Sequence, residues 1–337
     1  MKSLRWTWTV PMLSLVAVVV TGTVCVAQQA AGQLPGKFYI VGMGTCPDLM
    51  TLRAAKVCEK TDVFLLEEQG DGVAWKEIIG NKPVIYCPHG SRVGYGADPA
   101  KIKDPAARAV VERNDKARRD TIRQIVDYVK AGKIVSSLQW GDPMVYGTTF
   151  YLELLPPDVE TEIVPGLGAF EAGSAAIKWS PTFGGDTNGV ILTMGDWPER
   201  VDNNDKLMAL KTSMVIYTCG FKYKEGFALL RKHYPADTPV AVVCFAGVPN
   251  QEVVVKSTVG KFLEEVEYDK LPYLNTLFVG KFIGHGQARN DAVMSGKDMI
   301  QIIHGSADDH SEGPKVTVPA TPQGTGLRTE CASPYKK

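Results

Sequence analysis

The chain has 337 residues, which is long enough for two domains that each bury a hydrophobic core. Its 37 basic and 37 acidic residues balance to a net charge of zero and are scattered, so the basic footprint of a nucleic-acid-binding protein is absent. The seven cysteines and five histidines show no metal-ligand spacing, which argues against a metal site. This composition favours a protein that binds a small molecule.

The first 27 residues have the pattern of an export signal. Lys2 and Arg5 precede an apolar run at residues 10–26, and Ala27 ends a segment typical of signal-peptide cleavage sites. An uncleaved membrane anchor is the alternative, because a spanning helix needs about 18 apolar residues and the run approaches this length. Both interpretations predict an exported protein, in the periplasm or another extracytoplasmic space. We expect no other contact with a membrane.

The globular part begins with an apolar strand, predicted at residues 37–41. It ends in a turn that contains Gly42 and Gly44 and leads into a helix that Asp48 or Thr51 can cap. The third glycine of the dinucleotide-binding fingerprint is missing from this turn. The sequence therefore disfavours a nicotinamide cofactor.

A second strand, predicted at residues 62–66, is followed by an irregular segment. Residues 68–104 are rich in Gly and Pro and predict a long loop that could cover a ligand. A helix then leads to a strand at residues 133–138, and Gly141-Asp142-Pro143 follows it. Ligands bind at the carboxyl ends of strands in open parallel sheets, so this turn predicts a ligand loop. An ordinary strand-to-helix turn is the alternative.

The next elements repeat this arrangement. A short helix at residues 149–155 precedes a strand at 160–164, and a second glycine turn, with Gly166 and Gly168, opens a helix at 170–178. Beyond residue 180, closely spaced strands predict a mixed sheet, and residues 306–337 have the composition of a flexible tail. The later strands are predicted at residues 188–194, 213–218, 239–245, 252–258 and 275–282, with helices at 205–211 and 223–233.

Six motifs stand in a characteristic order between residues 37 and 283. In this order they resemble the tetrapyrrole (corrin/porphyrin) methylases, which are methyltransferases that use S-adenosylmethionine. The resemblance implies an α/β fold with two α/β domains, at 37–155 and 160–283, and a ligand cleft between them. The motifs are Tyr39-Ile-Val-Gly-Met-Gly44, Gly141-Asp-Pro-Met-Val-Tyr-Gly147, Val164-Pro-Gly-Leu-Gly-Ala169, Val215-Ile-Tyr-Thr-Cys-Gly220, Thr238-Pro-Val-Ala-Val-Val-Cys-Phe-Ala-Gly247 and Thr276-Leu-Phe-Val-Gly280.

The resemblance also implies site residues. Gly42 and Gly44 would line the substrate trough, whose turn is one residue shorter than the family's and has Thr45-Cys46 in place of a glycine and an acid. Thr218-Cys219 stands where the family has a methionine contact. The implied contacts to the methyl donor are Gly141, Asp142, Val145, Gly168, Ala169, Thr218, Cys219, Ala246 and Gly247.

Each of three side chains near Gly141 can be interpreted in two ways. Asp142 can contact the donor or cap the next helix. Trp140 and Tyr146 can present aromatic faces to a planar or cationic ligand, or they can pack in the core. Methyl transfer needs alignment more than acid-base groups, although a carbon acceptor must also lose a proton. The candidate proton acceptors are Glu67, Glu68, Asp71 and His89, and the sequence does not choose among them.

Two functions compete at this point. The first is a methyltransferase, by resemblance a homodimer, that acts on a tetrapyrrole or another bulky substrate. The second is an exported, non-catalytic protein that keeps the fold to hold a corrinoid, a haem-like compound or another small molecule. The glycine loops favour the first function. The export signal favours the second, because S-adenosylmethionine is made in the cytoplasm.

Overall fold

A computed structural model describes residues 36–87, 93–182, 187, 189–196, 201–218 and 221–284. The predicted export signal or anchor at residues 1–27 and the predicted tail at 306–337 lie outside this range. Within it, no helix combines the length and the apolarity that a membrane span requires.

Five parallel strands form the first sheet, in the order β3-β2-β4-β1-β5. Buried apolar side chains cover both faces, which is typical of a parallel sheet and explains why all four residues of β2 are buried. The strands are β1 (Lys37–Gly42), β2 (Val63–Leu66), β3 (Val84–Tyr86), β4 (Ile134–Gln139) and β5 (Thr161–Val164). The helices between them are α1 (Leu52–Lys60), α2 (Gln69–Ala74), α3 (Lys76–Ile79), α4 (Pro105–Lys130) and α5 (Phe150–Leu154).

Side-chain caps fix where the helices of this sheet begin. Of the two caps predicted for α1, Thr51 is the one used: its hydroxyl accepts a hydrogen bond from the Ala54 amide at 3.1 Å. Asp104 caps the 26-residue helix α4 in the same way, by accepting from Ala106 at 2.9 Å.

The prediction of an irregular segment at residues 68–104 is wrong at several points. This range contains the helices α2 and α3 and the strand β3.

The reason for this error is local. Helix α2 includes two glycines, which lower helix propensity, and it forms because Glu68 and Asp71 build a capping box at its start and Trp75 is buried at its end. Strand β3 has only three residues and lies at the edge of the sheet. Neither element is long enough to show a hydrophobic period in the sequence.

The second sheet is mixed, with the order β6-β7-β10-β8-β9, as the strand spacing predicted. Strands β6 and β7 are parallel, and β10 is antiparallel to both β7 and β8. The strands are β6 (Val190–Met194), β7 (Ser213–Tyr217), β8 (Pro239–Cys244), β9 (Val253–Thr258) and β10 (Asn275–Val279). The helices are α6 (Ala169–Ile177), α7 (Asn204–Met208), α8 (Tyr223–His233) and α9 (Phe262–Glu265).

Helix α6 connects the two sheets. Strand β5 pairs with β1, so the first sheet extends to Val164, beyond the 155–160 boundary expected from the sequence. The helix that follows packs on the second sheet, where Ala172 and Ile177 join a buried cluster with Phe278 of β10. A Cβ atom at Gly173 would lie 2.6 Å from Cζ of Phe278. Gly173 is therefore required for the close approach of α6 to β10.

We expect Gly173→Ala to lower the free energy of unfolding by about 1–2 kcal/mol, because overpacking outweighs the gain in helix propensity. Urea unfolding measures the change. In the Phe278→Leu background the same substitution should cost at least about 0.5 kcal/mol less, since the two sites are in contact. Additive costs in this double-mutant cycle would show that contact with the ring of Phe278 is not the cause of the destabilisation.

Candidate functional site

The carboxyl ends of β1, β4 and β5 meet at one edge of the first sheet because these strands are parallel. In the second sheet, β7 and β8 end at the same edge at which β10 begins. The two edges are in contact: a Cβ atom at Gly247, after β8, would lie 2.7 Å from Oγ1 of Thr45 in the first turn. The predicted ligand loops are therefore close together.

Glycines allow three backbones to touch at the edge of the first sheet. A Cβ atom at Gly42 would lie 2.5 Å from the Gly166 amide nitrogen, and one at Gly166 would lie 2.1 Å from the Gly141 carbonyl oxygen. Gly44 and Gly141 form a bridge in which each amide donates to the other's carbonyl, at 2.8 and 3.3 Å. We call Gly42, Gly44, Gly141 and Gly166 the glycine junction. The structure thus places both predicted trough residues, Gly42 and Gly44, in backbone packing.

The loop after β4 is closed at its base and shaped from within. The side chain of Gln139 bonds twice to the backbone of Thr148, donating to its carbonyl at 2.9 Å and accepting from its amide at 2.7 Å. Oδ1 of Asp142 accepts from the Met144 amide at 3.0 Å, and the Val145 amide donates to the Asp142 carbonyl at 3.2 Å. Asp142 therefore shapes its own turn, and it does not cap helix α5, which begins at Phe150.

Gly168 and Ala169 lie opposite this loop, where α6 begins. Among the described residues, a Cβ atom at Gly141 would meet only the Cα atom of Gly168, at 3.6 Å, so this side of Gly141 is open. The Gly168 amide donates to Oε2 of Glu171 at 3.0 Å, so the Glu171 side chain satisfies the N-cap amide of α6. The loops after β4 and β5 thus face each other with exposed glycine backbone at the N-terminus of α6.

The second sheet supplies the remaining predicted contacts. The hydroxyl of Thr218, after β7, donates to the carbonyl of Asn275 at 2.7 Å. Ala246 is buried, and Gly247 has a φ of +75° and donates its amide to Glu252 at 2.7 Å. Cys219 lies outside the described residues.

An aromatic pair spans the two sheets beside these loops. Tyr146 has a φ of +59° and is half exposed, and its ring meets that of Tyr217 edge to face, with centroids 5.3 Å apart. Burial and the carboxylate of Glu171 raise the pKa of Tyr217 well above its ordinary value. Tyr217 is therefore a neutral hydroxyl at physiological pH.

The sequence model of the tetrapyrrole (corrin/porphyrin) methylases matches residues 37–262. The chain belongs to this family. One relative, a uroporphyrinogen-III C-methyltransferase of Bacillus subtilis, is 28% identical over 74% of this chain and 92% of its own length. A precorrin-4 C(11)-methyltransferase of Rhodococcus erythropolis is 23% identical over 73% of this chain and 91% of its own length.

Solved structures of the family have the same fold. A cobalt precorrin-4 methyltransferase superposes with a TM-score of 0.58 and 23% identity, over 73% of this chain and 95% of the other. A uroporphyrin-III C-methyltransferase of Thermus thermophilus, in complex with S-adenosylhomocysteine, has a TM-score of 0.54 and 20% identity, over 74% of this chain and 100% of its own. The predicted family, the two-part α/β fold and the assignment as a methyltransferase are confirmed.

One cluster near the site of this family member was not recognised as a unit in the sequence. Trp140, which directly precedes Gly141, donates its indole N–H to Oδ1 of Asp71 at 2.8 Å, and its ring lies 4.6 Å from that of Trp75. Asp71 is only 7% exposed, and its other oxygen accepts from the Glu68 amide at 3.2 Å. No sequence signal pairs these residues, because 69 positions separate Trp140 from Asp71.

The predicted proton acceptors have different surroundings. Burial raises the pKa of Asp71, and the nearby carboxylates of Glu67 and Glu68 add to this shift, while hydrogen bonds from Trp140 and the Glu68 amide oppose it. Glu68 is exposed, and His89 lies outside the described residues.

The raised pKa of Asp71 predicts a pH-dependent cost to stability. The folded state binds this proton more tightly than the unfolded state, whose pKa is about 3.9, so unfolding free energy falls as pH rises through the folded pKa. Relative to Asp71→Asn, we expect the wild type to lose stability as the pH rises above about 4. Urea unfolding at several pH values measures the difference.

Asp120 provides a control of opposite sign. Its hydrogen bond from Lys116 holds its pKa below the usual range, so its contribution to stability is present at neutral pH and is lost on acidification. Relative to Asp120→Asn, the wild type should gain stability as pH rises. Parallel pH profiles for the two pairs would contradict the assignment of Asp71 as a buried, desolvated carboxyl.

Proposed function

We propose that this tetrapyrrole methylase transfers a methyl group from S-adenosylmethionine to a ring carbon of a tetrapyrrole. The observation that carries the proposal is the open backbone surface at Gly141, where the nearest described atom to an added Cβ is Cα of Gly168, at 3.6 Å. It lies inside the segment that matches the family model. The relatives named as C-methyltransferases of uroporphyrinogen III and precorrin-4 support a tetrapyrrole as the acceptor.

The residues present fit the methyl donor. Gly141 leaves room where a larger side chain would enter the space in front of Gly168, and a Cβ atom at Gly168 would lie 3.0 Å from Oε2 of Glu171. Ala169, Ala246 and Val145 are small or apolar neighbours suited to an adenosine, and Thr218 offers a hydroxyl. Asp142, whose Oδ1 is held by the Met144 amide, places a carboxylate near the loop where a cationic sulfonium is favoured.

S-adenosylmethionine supplies a methyl group that its sulfonium has already activated. The protein then has to hold the acceptor carbon in line with the methyl carbon and sulfur and to exclude water. The glycine junction fixes the loop backbones for this task, because backbones in contact cannot shift independently. Formation of the new carbon–carbon bond would break the carbon–sulfur bond, whose electron pair would remain on sulfur, and the methylated tetrapyrrole would release a proton from its ring system to a base or to water.

The non-catalytic binding protein has no support among the comparisons, since the relatives reported above are named as methyltransferases. It remains distinguishable from the enzyme by experiment, because it would not transfer a methyl group.

Gly141→Arg tests the donor site. We expect calorimetric titration of S-adenosylhomocysteine to show at least about tenfold weaker binding, since the side chain would fill the open space beside Gly168. Incubation of the wild type with S-adenosylmethionine and uroporphyrinogen III should give a singly or doubly methylated product by mass spectrometry.

Gly80→Arg is the matched control. Gly80 also has a positive φ, +59°, but no atom of the described residues lies within 4 Å of a Cβ placed there. The Gly80→Arg substitution adds the same charge and comparable backbone strain at the end of α3. The affinity of this variant for S-adenosylhomocysteine should therefore equal that of the wild type. Equal weakening in both variants, or a wild type that binds no S-adenosylhomocysteine, would refute the donor site.

We further propose that the chain is exported, with residues 1–27 as the signal, and that it forms a homodimer. One described feature supports export: Cys46 is disulfide-bonded, and disulfides persist in oxidising compartments. Among the described residues, Cys58 and Cys244 are free thiols.

Expression of the full chain in a bacterium tests this part of the proposal. The periplasmic fraction should contain a protein whose intact mass is that of a chain beginning at Gln28. Its native mass by light scattering should be that of two chains. The variant Ala27→Tyr, with a bulky residue at the cleavage site, should retain the first 27 residues. Recovery of the uncleaved wild type from the cytoplasm would contradict export, and a monomeric mass would contradict the dimer.

A further inference from the structure

Trp140 has one side held by the protein and the other open. Its indole N–H is bound by the buried carboxylate of Asp71, and its ring lies against Trp75, which is 1% exposed. Yet 37% of Trp140 remains exposed. A core tryptophan would be covered, and a surface tryptophan without a role would not be fixed by a buried carboxylate.

The position of this ring ties it to the donor loop. Trp140 directly precedes Gly141, and Asp71 lies in α2, the helix after β2, so the indole reaches from the end of β4 to the helix that follows the neighbouring strand. Met144 and Tyr146, in the same loop, are 59% and 48% exposed. Three large apolar side chains are therefore exposed within seven consecutive residues at the ligand edge, a concentration that is typical of a binding surface.

Asp71 holds the ring in place at a cost. Its carboxylate is desolvated, and both of its oxygens accept hydrogen bonds, from Trp140 and from the Glu68 amide. The indole of Trp75 has no hydrogen-bond partner among the described residues, so Trp75 contributes only its ring. The two tryptophans are thus distinguishable: one is oriented by a hydrogen bond, and the other supports it from behind.

We infer that Trp140 is a specificity-determining platform on which a flat aromatic ring of the acceptor stacks, and that Asp71 and Trp75 are positioning residues for it. This rests on the proposed function. A pyrrole ring of a tetrapyrrole has the required shape, and an indole is a large, rigid surface for stacking. The platform places that ring beside Gly141, next to the donor space.

Truncation of the platform should affect the acceptor and not the donor. With S-adenosylhomocysteine present, we titrate uroporphyrin III and follow quenching of tryptophan fluorescence, with calorimetry as the second readout. Trp140→Ala should bind uroporphyrin III about tenfold more weakly than the wild type. Its affinity for S-adenosylhomocysteine should stay within about twofold, which also shows that the variant is folded.

Two phenylalanine variants form a matched pair for the positioning role. Trp140→Phe keeps a ring but loses the N–H that Asp71 accepts, so uroporphyrin III should bind about threefold more weakly. Trp179→Phe makes the same exchange in a tryptophan that packs against a different buried cluster, formed by α6 and the second sheet, so uroporphyrin III binding should be unchanged. In turnover with uroporphyrinogen III, Trp140→Phe should raise KM and leave kcat nearly constant, because stacking acts equally on the ground and transition states.

Each other outcome overturns a defined part of the inference. Unchanged uroporphyrin III affinity in Trp140→Ala, or a wild type that binds S-adenosylhomocysteine but not uroporphyrin III, excludes the platform and leaves the donor site standing. Loss of S-adenosylhomocysteine affinity in Trp140→Ala would make the indole a donor contact. Equal weakening by the two phenylalanine variants would exclude positioning by Asp71. A wild type that binds neither ligand would refute the proposed function itself.

Discussion

The contact of three backbones at the glycine junction is the constraint on which the site depends. Gly42, Gly141 and Gly166 end or follow three different strands, and a Cβ at Gly42 or Gly166 would clash with a neighbouring backbone. The Gly44–Gly141 bridge adds two hydrogen bonds at the same place. Because these loops touch without side chains between them, they hold one arrangement and leave bare backbone facing the proposed donor space.

Helix α6 connects the glycine junction to the second sheet. It begins at Gly168, opposite Gly141, and its other face packs on β10, where Gly173 meets Phe278. The contact of Gly247 with Thr45 and the ring pair of Tyr146 and Tyr217 join the two sheets at the same edge. The site is therefore built from both sheets, and the close packing of one helix sets their spacing.

The cluster around Asp71 places a buried, desolvated carboxyl beside the glycine junction. A buried carboxylate is unfavourable by itself, and here it accepts two hydrogen bonds, one of which orients an exposed indole. The oriented Trp140 directly precedes Gly141, the proposed donor contact. One short segment therefore carries both the proposed donor contact and the proposed acceptor surface.

The sequence by itself determined the family, the order of the elements and the loops of the site. Periodicity located most strands within one or two residues, and the glycines of the junction were recognisable because each stands at the end of a strand or two residues beyond it. Helices α2 and α3 were missed, because their stability comes from a capping box and a buried tryptophan and not from a long periodic pattern. Only the tertiary structure decided that β5 belongs to the first sheet, that Gly42 serves packing, and that Asp71 binds Trp140. Each of these depends on contacts between residues far apart in the chain, and a local sequence pattern carries no information about such contacts.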